Sequence, residues 1–258
     1  MTGPPEASAL LNDLLAGVSQ ALGDNLLGFY LRGSLALGDF DPETSDVDIL
    51  VVTHHPVSDA EFEALTQLHA RIPAGHEADA HHYEISYIDR ASLKRFAPGE
   101  RRHPTTGTDW PFGRAEHRDN WVLERWIVRE HGVALLGPDP KTLIDPIPPD
   151  ELRAAVRSEL QARVRDWAGG ETAPDWLLPR SYQAFEIETV CRALYTLARG
   201  ELPTKPQAVA WALETLPEPW RSLVERSQAW RADGTPDPST VPEVMRFVRW
   251  AASQTQET

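Results

Sequence analysis

Cysteine is nearly absent: Cys191 stands alone in 258 residues, so no internal disulfide and no cysteine-ligated zinc cluster can form. Basic residues are in short supply, with 25 Lys plus Arg against 39 Asp plus Glu and a formal charge of −14. A fold that wraps nucleic-acid phosphates presents a basic face, so a general nucleic-acid binder is disfavoured. The same balance favours cationic ligands, or anionic ones brought in with metal ions. Long apolar runs are missing too, and the opening segment Met1 to Glu6 lacks a basic stretch followed by a hydrophobic one. Neither a membrane span nor a secretory signal is therefore expected, which points to a cytoplasmic protein without a membrane partner. What is present is core-forming material: 41% apolar residues and nine Trp. The length exceeds the roughly 100–200 residues of one ordinary domain, so one large or two modest domains are expected.

Leu10, Leu11, Leu14, Leu15, Val18 and Leu22 recur at helical spacing and predict a helix over 8–22. Residues 26–31 read as a short buried strand, 33–45 as a small-residue, turn-prone stretch, and 46–53 as a second strand rich in β-branched residues. A helix over 58–71 and a strand over 83–88 follow, which together describe a mixed α/β domain. Between 96 and 119 the pattern breaks into Pro, Gly, Thr, His and Arg and reads as a long loop. Helical periodicity returns at 121–130, and 132–137 resembles one more short strand. Three prolines in the seven residues from Ile144 to Asp150 mark a linker. Beyond it the pattern is helical at 150–167, 181–199, 205–214, 217–230 and 240–253. The expected fold class is thus an α/β domain over 1–147 followed by an all-α helical bundle over 148–258. There is no internal repeat.

The chemistry-bearing residues cluster early. Gly33 and Ser34 follow the first strand, and twelve residues after Ser34 comes Asp46-Val47-Asp48 at the start of the next. On a strand, i and i+2 share a face, so Asp46 and Asp48 project together. Adjacent carboxylates resist joint ionisation unless a cation sits between them. Hard oxygen donors suit Mg²⁺, which typically takes one or two carboxylates plus substrate phosphates. Gly33 permits close backbone approach to a phosphate and Ser34 offers it a hydroxyl. Glu84, on the third strand, is placed to complete the cluster as a metal ligand or to serve as a general base. Against this stands the plainer possibility that an Asp-x-Asp at a strand end is merely solvated.

The stretch LRGSLALGDFDPETSDVDIL (31–50) resembles the signature of the DNA polymerase β-like nucleotidyltransferases. Farther on, VALLGP (133–138), DPIP (145–148) and GELPTKPQAVAWALE (200–214) are similar to the spectinomycin/streptomycin 3″-adenylyltransferases. That resemblance implies a nucleotidyltransferase domain paired with a helical domain, with ATP and an aminoglycoside bound between them. It implies Asp46 and Asp48 as Mg²⁺ ligands, Glu84 as the catalytic base, and Ser34 and Ser45 against the nucleotide phosphates. Arg192 and Lys205 match the family's basic phosphate contacts, and Trp230 falls where an aromatic packs near the nucleotide. Asp175 matches an acid that contacts the cationic drug, and Trp110 is a stand-in for a tryptophan of the acceptor pocket. The family's next acid falls near Arg180 to Tyr182, where this chain has no carboxylate.

Two of these assignments have their own support. Lys205 is one of three lysines and stands beside prolines at a helix start. Arg192 lies in an otherwise apolar helix, where an unpaired charge is costly; its structural alternative is an ion pair with Glu188 one turn earlier. Trp230 has core packing as its alternative, and Trp121, Trp126, Trp167 and Trp211 read as core. His54, His55, His76, His81 and His82 show no recurrent ligand spacing and read as surface histidines. Arg101, Arg102 and His103 are candidates for anion contact or plain solvation. The expectation is a monomeric enzyme that moves AMP from Mg-ATP to a hydroxyl of a small, cationic acceptor, an aminoglycoside first. Its rivals are transfer to a protein hydroxyl, of toxin–antitoxin type, and a catalytically inactive nucleotide- or drug-binding protein.

Overall fold

The computed structural model describes residues 5–40, 45–75, 83–95, 97, 102–107, 110–116, 120–170 and 172–256. His76, His81, His82 and Arg101 lie outside the described residues. The chain divides into two compact units, 1–146 and 147–258.

In the first unit, α1 (Pro5–Leu22) leads into β1 (Leu26–Leu31) and the short α2 (Gly33–Leu37). Then come β2 (Val47–Thr53), α3 (Asp59–Gly75), β3 (Tyr83–Asp89) and α4 (Arg90–Lys94). The unit continues with β4 (Arg102–Gly107), β5 (Trp110–Glu116), α5 (Asn120–His131) and β6 (Val133–Leu136). The six strands form one sheet in the order β5-β4-β3-β2-β1-β6. Only β2 and β3 run parallel; every other neighbouring pair is antiparallel. β2 forms because Val47, Ile49, Leu50, Val51 and Val52 are all buried, the continuous apolar run expected of a strand covered on both faces. Leu10, Leu11, Leu14 and Val18 of α1 join Leu65, Leu68 and Ile72 of α3 in one core with Ile49, Val51 and Ile85 of the sheet. α5 turns Trp121, Val122, Ile127 and Val128 inward. Its buried Arg125 donates to the carbonyls of Leu93 (2.7 Å) and Lys94 (2.6 Å), which ties α5 to the end of α4.

The structure departs from the sequence expectation in two places. The stretch after β1 contains a helix, α2, whose five residues are too few to show a period. Within 96–119, the described residues hold β4 and β5, which pair from Arg102–Glu116 to Gly107–Trp110. Pro104 has no amide to donate, but the β3–β4 register involves only Thr105 and Thr106 on β4, so no rung to β3 is lost at Pro104. Phe112 of β5 stacks on Phe62 at 4.9 Å and on His69 at 4.7 Å between ring centroids, which fastens the hairpin to α3. His69 is buried between the hydroxyls of Tyr83 and Tyr87, and burial pushes its imidazole down to about 4, so it is neutral at pH 7. His54 and His55 are exposed.

The second unit is helical: α6 (Pro149–Arg163), α7 (Arg180–Arg199), α8 (Lys205–Thr215), α9 (Trp220–Ser227) and α10 (Val241–Ser253). Its core gathers Leu152 and Val156 of α6, Ile187 and Cys191 of α7, and Phe247 and Val248 of α10, all buried. Burial pushes the Cys191 thiol up to about 12, which makes it inert. Thr204 and Gln207 open α8 with a reciprocal capping box. Gly200, at φ 75°, closes α7 in the left-handed conformation that glycine tolerates best. Among the described residues no helix is long and apolar enough to cross a membrane.

Candidate active site

The site is built where β1 ends. The Arg32 amide donates to the Asp48 carbonyl at 2.9 Å. Gly33 then takes φ 61° and turns the chain into α2. A Cβ on Gly33 would lie 1.9 Å from Asp48 Oδ2, so only glycine fits against that carboxylate. Asp48 on β2 and Glu84 on β3 are direct register partners across the parallel pair. Two carboxylates from different parts of the chain thus stand side by side. Asp46 and Ser45 immediately precede β2 and are half-buried, as are Gly33 and Ser34 in the first turn of α2.

Electrostatics at this site are dominated by a residue that sequence reasoning did not single out. Arg32 is buried, and its guanidinium meets three carboxylates. Nη1 lies 2.5 Å from Glu124 Oε2 on α5 and 3.6 Å from Asp48 Oδ1; Nη2 lies 3.7 Å from Glu84 Oε2. Burial disfavours that charge, but the Glu124, Asp48 and Glu84 carboxylates outweigh it and hold the guanidinium protonated more firmly than usual. Burial and then the Asp48 carboxylate push Glu84 up to about 7; Arg32 opposes this, and Asp46 and Glu124 add to it. The one available signal was a charged residue directly after an apolar strand. Glu124 carried no signal, because it lies 92 positions from its partner.

Among the described residues no three His, Cys, Asp or Glu side chains form a ready metal-binding group. The expected cluster of Asp46, Asp48 and Glu84 is therefore not closed here, and the cation beside Asp48 and Glu84 is Arg32. The donor chemistry nonetheless suits a hard divalent ion: the candidate ligands are carboxylate oxygens, and beyond the burial that chiefly raises Glu84, the Asp48, Asp46 and Glu124 carboxylates add to the shift while Arg32 opposes it.

In the helical unit, Arg192 on α7 is half-buried and its Nε donates to the Pro203 carbonyl at 3.2 Å. Lys205, two residues farther along, places Nζ 4.9 Å from the centroid of the Phe185 ring. Arg192 and Lys205 are thus brought to one neighbourhood. The alternative pairing of Arg192 with Glu188 gives way, because Glu188 is buried and paired with Arg231. Trp230 is buried, 8% exposed, with the Arg180 guanidinium 5.8 Å from its ring centroid. Asp175 is exposed at the start of a short 3-10 turn. Exposed aromatic residues occur in the same stretch of chain: Trp176, then Tyr182 and Phe185 on one face of α7. Arg180, in the stretch to Tyr182 near which the resemblance expects an acid, is bound by Asp233 (3.3 Å) and Asp237 (2.9 Å), so its charge is compensated. In the first unit, Trp110 opens β5 and is 42% exposed.

Comparison with known proteins follows the same division. Residues 12–102 match the model of a nucleotidyltransferase domain, and residues 142–254 match that of an aminoglycoside adenylyltransferase C-terminal domain. The spectinomycin 9-adenylyltransferase of Campylobacter jejuni is 26% identical over 259 residues, covering 96% of this chain and 95% of its own. An aminoglycoside (3″)(9) adenylyltransferase of Shigella flexneri is 24% identical over 262 residues, with 96% and 95% covered. In three dimensions the chain is similar to the crystal structure of a spectinomycin adenyltransferase from Enterococcus faecialis with ATP and spectinomycin. The TM-score is 0.75 at 18% identity, covering 96% of this chain and 99% of that one, which establishes a shared fold.

Proposed function

Because the chain belongs to the aminoglycoside adenylyltransferase family, we propose that it transfers AMP from ATP to a hydroxyl of spectinomycin or a related aminoglycoside. The observation that carries this reading is the pairing of Asp48 and Glu84 across β2 and β3, with Gly33 fitted against the Asp48 carboxylate. Asp46, Asp48 and Glu84 are the ligands for Mg²⁺. When bound, the ion supplies positive charge to the phosphates and to the departing pyrophosphate. Glu84 has a second role as the base. Its carboxyl, pushed up to about 7 without a metal and lowered again by a bound cation, is ionised for the reaction and can take the acceptor's hydroxyl proton as oxygen attacks the α-phosphorus. The new O–P bond forms as the bond to the β-phosphate bridge breaks, and pyrophosphate leaves. Gly33, Ser34 and Ser45 contact the phosphates, and Trp230 supports the nucleotide side from within its own core. Asp175 and Trp110 are the acceptor contacts, and a negative Asp175 suits an ammonium group. The acidic surface agrees with a cationic acceptor. The protein is read as a cytoplasmic monomer.

Pyrophosphate release from ATP and Mg²⁺ across a panel of spectinomycin, streptomycin and other aminoglycosides tests the reading. Release that depends on one or a few of these acceptors is expected, and no release with any of them contradicts it.

Arg192 and Lys205 are assigned to the ATP phosphates. Arg192→Ala and Lys205→Ala each remove one charge-assisted contact, of about 1.5–3 kcal/mol, so each should raise the ATP Kd by about tenfold or more. Calorimetry that returned wild-type affinity for both variants would take these side chains out of the phosphate site.

A further inference from the structure

Arg32 raises a question that the proposed chemistry does not answer. A fixed guanidinium beside two metal-binding carboxylates is a competitor for the same oxygens. Its side chain is 7% exposed, so it cannot swing into solvent, and one carboxylate or another must hold it. The distances show which one does. Glu124 Oε2 is at 2.5 Å, while Asp48 Oδ1 at 3.6 Å and Glu84 Oε2 at 3.7 Å lie outside hydrogen-bond range. Arg32 Nε is buried and has no hydrogen-bond partner, so no anchor at the near end of the fork fixes its aim. Its direction is set at the Nη end, and there Glu124 makes the close contact. Glu124 belongs to α5, apart from the strands that carry Asp48 and Glu84.

We propose that Glu124 is a positioning residue: it draws the Arg32 guanidinium aside, so that this cation does not compete with a divalent ion for the oxygens of Asp48 and Glu84. The inference rests on the reading of Asp48 and Glu84 as metal ligands. In it, Arg32 screens part of the repulsion between these carboxylates before the ion arrives, yet does not take the ion's place. Without Glu124, the guanidinium would close the gap of less than 1 Å that separates it from hydrogen bonding with Asp48 or Glu84, by comparison with the roughly 2.7–3.2 Å of an ordinary N–H···O contact.

A double-mutant cycle on the full chain separates this from simple charge. Mn²⁺ is titrated into wild type, Glu124→Gln, Arg32→Gln and the double variant, with free Mn²⁺ counted by electron paramagnetic resonance. The Mg²⁺ concentration at half-maximal turnover is measured alongside, and thermal midpoints report folding. Outer-shell partners of metal sites are worth about 10–100-fold in affinity. Glu124→Gln should therefore weaken Mn²⁺ binding by about tenfold with Arg32 present, and by less than about twofold in the Arg32→Gln background. Equal factors in both backgrounds would mean that Glu124 acts only through its charge and would overturn the proposal, as would wild-type affinity in Glu124→Gln. Should Arg32→Gln fail to fold, the crystal structure of Glu124→Gln decides: Arg32 is expected to hydrogen-bond Asp48 or Glu84, and an unmoved guanidinium overturns the proposal. Asp48→Asn keeps the two readings apart. If it leaves Mn²⁺ affinity intact, the metal site itself is misassigned; if it abolishes binding while Glu124→Gln does not, only the role of Glu124 fails.

Discussion

Asp48→Asn should lower adenylyl transfer by about 10²–10³-fold, the scale on which loss of a transition-state electrostatic contact is felt. The substitution preserves size, so the close fit against Gly33 survives, but a neutral amide is a poor partner for Mg²⁺. Two opposing changes then meet in the metal-free protein. Glu84 loses the Asp48 charge that pushes its pKa upward, and Arg32 loses an ion-pair partner at 3.6 Å while it keeps Glu124. The metal-free thermal midpoint should therefore stay within about 4 °C of wild type, an equivalent of roughly 1–2 kcal/mol for a chain of this size. The rise in midpoint that Mg²⁺ and ATP confer on wild type should vanish, because ligand stabilisation follows binding. Full activity in this variant would remove Asp48 from the metal site.

Glu84→Gln should reduce turnover by about 10²–10⁴, the span of general-base catalysis, with a much smaller effect on ATP affinity. A base acts on a proton that moves only in the transition state, so its loss falls on kcat rather than on ground-state binding. A collapse of Mg²⁺-dependent ATP affinity together with turnover would show that Glu84 serves chiefly as a ligand. The pH dependence carries a second test. The base must be ionised, so wild-type kcat/KM should fall with acidification along a limb whose midpoint lies at or below about 7, since a bound cation lowers it. Glu84→Gln should lack that limb. Stability should move the opposite way. Folding raises the Glu84 pKa from 4.5 to about 7, so the folded chain binds the proton more tightly than the unfolded one. The favourable contribution is complete below pH 4.5 and is lost as pH rises through about 7. Thermal midpoints of the metal-free protein should decline over that window, and less so in Glu84→Gln.

The elements with a long apolar signal were legible in the sequence. The run Val47 to Val52 marks β2, and the spacing of Leu10, Leu14 and Val18 marks α1, because burial imposes both patterns. The Asp-x-Asp and the acid on the following strand were legible for the same reason: strand period and spacing place them. Short and polar elements were not. α2 spans one and a half turns, and β4 carries Arg102, His103, Pro104, Thr105 and Thr106. What makes this segment a strand is its pairing, together with Phe112 of β5 stacking on α3. Long-range charge pairing was equally hidden. The local rule offers Glu188 as the partner of Arg192, four residues away, but Glu188 pairs with Arg231, 43 positions along the chain. Arg32 and Glu124 are farther apart still. No sequence window contains both ends of such a pair, so the cation beside the candidate metal carboxylates emerges only from the fold.

The most direct test of the account is the mass spectrum of the acceptor after incubation with the protein, ATP and Mg²⁺, with Glu84→Gln run in parallel. An acceptor heavier by one adenylyl group is expected, formed with wild type in step with pyrophosphate and nearly absent with Glu84→Gln. An unmodified acceptor across the whole panel would contradict it, whether the nucleotide was bound without reaction or the adenylyl group appeared on a protein hydroxyl instead.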